Sequence, residues 1–195
     1  MAHILKLTRD DPIIHIKAYG SIQIAGIDQT EVRCDIDSPQ LATLVEEDGH
    51  VYATVNASCM LEVPLRSSLF VEKGMGSVKV SGLKNQVRIE KVLGNLVLFE
   101  VTAATVEKVG GNFSVRNAED TIKVEKIAGN LTVDDAADFQ GEKVGGSCRV
   151  KNISGSFYVG KAGGKFIGES IHEFSGESNI GGSFTAQDIK ILGEV

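Results

Sequence analysis

The side chains of this chain that could do chemistry are few and badly spaced for it. Its four histidines, His3, His15, His50 and His172, share no spacing with one another or with a cysteine. His172 beside Glu173 has the composition of a general base, but a solvated turn histidine fits its polar surroundings better. Cys34, Cys59 and Cys148 are odd in number, far apart along the chain, and match neither a zinc pattern nor a CxxC pair; they suit a reducing compartment. Gly160-Lys161-Ala162-Gly163-Gly164-Lys165 has the flavour of a phosphate loop. It lacks the four-residue gap between glycines, and Phe166 stands where a hydroxyl should follow the lysine. Asp134, Asp135 and Asp138 form an acidic cluster at an expected corner with no recurring basic partner, unlike a cleavage groove. The residues therefore predict no catalytic group, no metal site, no cofactor and no nucleotide, and so no enzyme.

Charge and composition narrow the partners. The 195 residues carry a net charge of −6 and no run of Lys or Arg, which argues against a nucleic-acid backbone as partner. There are 22 glycines and no tryptophan, and Pro12, Pro39 and Pro64 are the only prolines. A proline-free stretch from Leu65 onward is expected where nearly every backbone N–H is needed in a ladder. The N-terminal residues reach Arg9-Asp10-Asp11 before any long apolar run, so they read as a first strand rather than a leader or a membrane span. The expected location is the cytoplasm.

Such residues must be positioned by something, and the chain repeats itself. Gly76, Gly94, Gly111, Gly129, Gly146, Gly164 and Gly182 recur every 17 or 18 residues. Two residues after each stand Val78, Leu96, Phe113, Leu131, Cys148, Phe166 and Phe184. Two further come Val80, Leu98, Val115, Val133 and Val150, then Gly168 and Ala186. A third apolar column runs Leu83, Val101, Ala118, Ala136, Ile153, Ile171 and Ile189. This period is too short for helical hairpins and suits one turn of a β-solenoid. The fold expected is all-β, a single-stranded right-handed parallel β-helix of about 17–18 residues per rung. Its glycines sit where a corner needs positive φ or close backbone approach.

Residues 1–67 read as an N-terminal β region, continuous with a regular solenoid over 68–195. Ile14 and Ile16, then Ile22 and Ile24, alternate with polar positions, and Gly20 opens a unit like the later ones. Asp48-Gly49 between alternating arms predicts a hairpin over 41–55, expected to protrude. Paired columns of Glu and Lys (Glu72-Lys73, Glu90-Lys91, Glu107-Lys108, Glu125-Lys126, Glu142-Lys143) read as a solvated face relieved by diagonal ion pairs. Asn95, Asn112 and Asn130 read as a stacked amide ladder at a corner. Cys148, in an inward column, reads as a small core residue.

The progression from the Gly20–Ile24 strand, through a hairpin ending in Leu61-Glu62-Val63-Pro64, into glycine-apolar rungs resembles the bacterial putative-adhesin β-solenoid family of unknown function. From about Ser68 to Val195 the repeats also resemble the bactofilins, cytoskeletal β-helices that polymerise end to end without nucleotide. That second resemblance implies a structural protein that self-assembles. Phe184, Ile189, Ile191 and Leu192 on the last rung, with Ile14 and Ile16 at the first, are the residues expected to make an end-to-end contact by strand addition. The alternative is a monomeric or dimeric binding module that recognises a glycan or protein along its lateral face.

Overall fold

The computed structural model describes residues 2–7, 11–175 and 179–191. The strands are β1 (Ala2–Lys6), β2 (Ile13–Ala18), β3 (Ile22–Ile27), β4 (Glu31–Asp35), β5 (Ala42–Glu47), β6 (His50–Val55), β7 (Cys59–Pro64), β8 (Ser68–Gly74) and β9 (Val78–Ser81). They continue with β10 (Gln86–Val92), β11 (Leu96–Val101), β12 (Ala103–Val109), β13 (Phe113–Ile127), β14 (Leu131–Val144), β15 (Cys148–Ala162), β16 (Phe166–Ser175), β17 (Asn179–Ile180) and β18 (Phe184–Ile191). Beyond one short 3-10 turn at Pro39–Leu41, the described residues hold no helix. The fold is a β-solenoid of stacked parallel strands, as the repeat predicts.

The alternating pattern builds the core directly. In β13 the side chains of Phe113, Val115, Ala118, Ile122, Val124 and Ile127 point inward and are buried. The rung therefore has two limbs, 113–118 and 122–127, with a register shift between them. Each limb stacks in register on its counterpart above and below: Leu96 on Phe113, Phe113 on Leu131, Leu131 on Cys148, Cys148 on Phe166 and Phe166 on Phe184. Columns of like residues become columns of contact. Phe139 stacks on Phe157 at 5.1 Å, and Phe166 on Phe184 at 5.1 Å. Gly168 makes room for this: a Cβ there would lie 2.7 Å from both Phe166 Cε1 and Ile189 Cδ1. Glycine at 168 is thus a packing requirement, whereas Ala186 on the last rung is exposed.

The repeating glycines have ordinary φ; crowding explains them. A Cβ on Gly129 would lie 2.6 Å from Asn112 Oδ1 and 2.7 Å from Gly111 O. Gly129 N–H donates to Gly111 O at 3.0 Å, so the corner is stacked backbone on backbone. The left-handed positions lie elsewhere. Gly82, Glu100, Asn117, Asp135, Asn152, Ser170 and Asp188 have φ between 52° and 70° and mark the opposite corner of successive rungs. Polar Asn, Asp and Gly suit that conformation. Glu100 and Ser170 adopt it because the rung on either side fixes the turn.

The start of the chain departs from a simple stack. β2 pairs in parallel with both β6 and β8, and β3 with both β7 and β9. The rung made by residues 13–27 therefore lies between the rung of 50–64 and the rung of 68–81, out of chain order. β4 runs antiparallel on β7, β5 antiparallel on β6, and β1 antiparallel on β4. Their inward Val32, Cys34, Ala42 and Leu44 are buried and cover that end of the core. The Asp48-Gly49 hairpin forms, with Asp48 at φ 50° and Gly49 at φ 78°. It does not protrude, however, because its second arm β6 is a ladder strand and its first arm lies over the stack.

Candidate functional site

The shuffled start brings rings together that sequence spacing keeps apart. On the face formed by β6, β2, β8 and β10, the outward side chains of Tyr52, His15, Phe70 and Arg88 occupy one register column. Alternation points them outward because Val51, Ala53, Ile14, Ile16, Leu69 and Val71 point in. His15 stacks on Tyr52 at 4.8 Å with the planes 16° apart, and meets Phe70 edge-on at 5.4 Å. His50 stacks on His15 at 5.2 Å. The Arg88 guanidinium lies 5.4 Å from the centre of the Phe70 ring, a cation–π contact. Tyr52 is 43% exposed and Ile13 beside His50 is 39% exposed, so the platform is open to solvent. The column runs on through Thr105, Lys123 and Gln140 to Tyr158, which is 37% exposed. Seven strand spacings separate Tyr52 from Tyr158, about 34 Å.

His15 Nε2 and His50 Nδ1 are 2.9 Å apart, so one ring donates and the other accepts. Partial burial, then the neighbouring His50, lowers the pKa of His15, with Glu72 opposing and Lys17 adding to the shift. The uncharged form of His15 is thus favoured, and its ring serves as a hydrogen-bonding, stacking surface. Among the described residues no group of three or more His, Cys, Asp or Glu is placed to hold a metal ion.

A second column lies beside the rings. Lys17 pairs in register with Lys73, and Lys91, Lys108, Lys126, Lys143 and Lys161 follow one another in register. Diagonal ion pairs were expected here; Glu107 is met by Arg88 at 3.5 Å, and among the described lysines of this column only Lys17 makes one, to Glu72 at 2.9 Å. That bond raises the pKa of Lys17. It forms because β2 has one residue fewer at this corner than β8, so Lys17 reaches both columns. Lys73 lies 5.8 Å over the Tyr19 ring. Among the described residues, Lys91, Lys108, Lys126, Lys143 and Lys161 make no ion pair within 4.0 Å. In-register parallel stacking sets each lysine above a lysine, and the adjacent Glu diverges from it at the corner. Over the eight in-register limbs from β6 to residues 157–162 this face holds nine Lys or Arg (17, 73, 88, 91, 108, 123, 126, 143, 161) and five Glu (72, 90, 107, 125, 142). The whole chain has 20 basic and 26 acidic residues, so this face is locally basic on an acidic protein.

The residues expected to carry self-assembly are dispersed. Ile14 and Ile16 are wholly buried and have a rung on each side, so they belong to the core and not to an end. Phe184 and Ile189 are half-buried against the core. Ile191 pairs through its backbone with Phe174, and Leu192 lies outside the described residues. The amide ladder is present at the glycine corner. Asn112 N–H donates to Asn95 Oδ1 at 2.8 Å, Asn130 N–H to Asn112 Oδ1 at 2.9 Å, and Ser147 N–H to Asn130 Oδ1 at 2.8 Å. Ser58, Ser21 and Ser77 extend it through their hydroxyls, in stack order rather than chain order. Cys148 is buried, which pushes its thiol up to about 12. Cys34 and Cys59 are distant in sequence, yet the β4–β7 pairing sets them side by side. The thiol hydrogen bond between them lowers Cys34 and raises Cys59. His172 is exposed and sits apart from the ring column. The signal that could have revealed that column was the likeness of Gly20–Ile27 to a later rung, which already implied that β2 would find ladder partners.

No helix among the described residues is long and apolar enough to cross a membrane. No protein-family model matches the sequence, and no curated protein matches it significantly. Solved structures do resemble it along its length. One is a Bacteroides fragilis protein described as a putative adhesin, with 14% identity, a TM-score of 0.49, and coverage of 98% of this chain and 96% of that one. Another, from Parabacteroides distasonis, is described as a putative lipid binding protein, with 13% identity, TM-score 0.36 and coverage of 99% and 96%. A third, from Parabacteroides merdae, is described as a putative adhesin, with 12% identity, TM-score 0.30 and coverage of 99% and 96%. None of the three is described as a bactofilin.

Proposed function

We propose that this chain is a non-enzymatic binding module that takes an extended glycan along its lateral face. The observation that carries the reading is the outward column of Tyr52, His15, Phe70 and Arg88 on a flat ladder of strands. His15 and Tyr52 stack face to face, so the column offers ring edges and the Tyr52 hydroxyl to a ligand laid along it, and rigid aromatics bind with little loss of side-chain freedom. Arg88, Thr105, Lys123 and Gln140 then supply donors and acceptors for hydroxyls. Nothing in the column is paired as nucleophile and base.

End-to-end self-assembly has less support. Two of its expected contact residues, Ile14 and Ile16, are core residues, and antiparallel strands cover one end of the stack. The proposal also departs from the cytoplasmic location expected from sequence, since extended polysaccharides are chiefly envelope and extracellular polymers.

A glycan array probed with the wild type and with the double variant Tyr52→Ala/Phe70→Ala tests this. Binding should be seen with the wild type and fall roughly 5- to 150-fold in the variant, the loss of two aromatic contacts of about 0.5–1.5 kcal/mol each. Both side chains point outward, so the melting temperature should change little. An array with no bound glycan, or binding that survives the double substitution, would sink the reading. Long filaments of purified protein in electron micrographs would revive self-assembly.

A further inference from the structure

The lysine row makes no ion pair among the described residues, and this bears on what lies along the face. Lys91, Lys108, Lys126, Lys143 and Lys161 follow one another in register at the strand repeat of about 4.8 Å. Neighbouring like charges at that separation repel. Glutamates adjacent in sequence do not relieve them, although Glu107 is met instead by Arg88 at 3.5 Å. The row spans four spacings, about 19 Å, parallel to the ring column and two to three residues from it. The face is locally basic although the chain is acidic overall.

Resting on the glycan reading, we propose that the ligand is a linear acidic polysaccharide with carboxylates on its sugars, lying along the stack axis against the lysine row. The rungs of Lys91, Lys108, Lys126 and Lys143 each present one ammonium and, one residue away, one carboxylate, while Gly160 stands beside Lys161. A uronic-acid unit complements both: its carboxylate meets the lysine, and its hydroxyls donate to the glutamate. A nucleic-acid strand is also a linear polyanion with stackable rings, but its phosphodiesters carry no donor, so the glutamate row would repel them. A neutral glycan would leave the lysines unneutralised. The periodicity matters as well, because a repeating ligand can satisfy four Glu-Lys rungs and a fifth lysine in sequence, which a folded protein surface would not.

The test uses the intact chain and three polymers: polygalacturonate, its fully methyl-esterified form, and single-stranded poly(dT), compared by biolayer interferometry at 50 and 300 mM salt. Polygalacturonate should bind, with affinity falling at least tenfold at the higher salt as screening grows. The esterified polymer and poly(dT) should bind at least tenfold more weakly. The triple variant Lys108→Gln/Lys126→Gln/Lys143→Gln should lose at least tenfold for polygalacturonate while its circular dichroism and melting temperature stay close to wild type, since these exposed lysines make no ion pair among the described residues. Equal binding of the esterified polymer, lost on Tyr52→Ala/Phe70→Ala, would overturn the acidic ligand and leave the glycan reading standing. Equal or tighter binding of poly(dT), unchanged binding by the triple variant, or no binding of polygalacturonate would also overturn it. An empty glycan array, by contrast, would remove both readings together.

Discussion

Gly129→Ala is the most informative single change in the stack. In an isolated turn, glycine usually means a left-handed backbone, and alanine there would cost about 1–2 kcal/mol. Here φ is ordinary, and the obstacle is the rung beneath. The new methyl would lie 2.6 Å from Asn112 Oδ1, 2.7 Å from Gly111 O and 2.8 Å from Gly111 C. Two of those contacts are backbone, so the rung must lift. Lifting stretches the 3.0 Å bond from Gly129 N–H to Gly111 O and the 2.9 Å bond from Asn130 N–H to Asn112 Oδ1. Each contributes about 0.5–1.5 kcal/mol net, and forcing a methyl into a packed site costs about 1–3 kcal/mol. The expected loss is roughly 2–6 kcal/mol, which in a chain of this size lowers the melting temperature by roughly 4–24 °C. Thermal unfolding followed by circular dichroism reads this out, with urea titration as a check on cooperativity, because stacked repeats can unfold in parts. Gly129→Asn separates the two explanations. Asparagine tolerates the left-handed region, so a φ-driven glycine would accept it, whereas crowding predicts a loss at least as large as for alanine. The matched control is Asn117→Gly at φ 56°, which should be close to neutral. A Gly129→Ala melting temperature within about 2 °C of wild type, or asparagine outperforming alanine, would refute the reasoning.

Other expectations follow from the same geometry. Gly168→Val should destabilise by about 1–3 kcal/mol, less than the full clash implies, because the atoms it meets are the ends of Phe166, Ile189 and Ile171 side chains that can shift. Cys148, buried and with its thiol pushed up to about 12, should resist thiol reagents in the native protein and react only on unfolding, as a mass-spectrometric labelling series would record. Stability should fall on acidification from pH 7.5 to 5.5. His15 has a lowered pKa when folded, so the unfolded chain takes up the proton first, near its ordinary 6.5, and stability present above that value is lost as pH drops below it. His50→Asn, which removes the neighbouring imidazole that adds to the effect of burial on His15, should reduce that dependence in melting curves.

The sequence carried the regular part of the fold because parallel in-register stacking repeats the same contacts at every rung. Gly111, Phe113 and Val115 must do the same work as Gly129, Leu131 and Val133, so composition echoes position. The Asn95–Asn112–Asn130 ladder was legible for the same reason. The Glu-Lys pairing was misread because two adjacent outward residues at a corner diverge, and their separation is invisible in a string. The role of the glycines was half legible: periodicity located the corner, but whether φ or crowding selected glycine depended on the distance to the rung below.

What the sequence determined by itself, then, is the solenoid, its inward columns and its polar ladders, all properties that one rung shares with the next. Only the tertiary structure decided the order in which the first rungs stack, and with it the candidate site. Placing residues 13–27 between 50–64 and 68–81 brings His15, 35 residues away along the chain from His50, to within hydrogen-bonding distance of it and between Tyr52 and Phe70. Pairing across a sheet depends on which edges are free when a strand arrives, and a local pattern of alternation records the face each side chain takes but not the neighbour it meets.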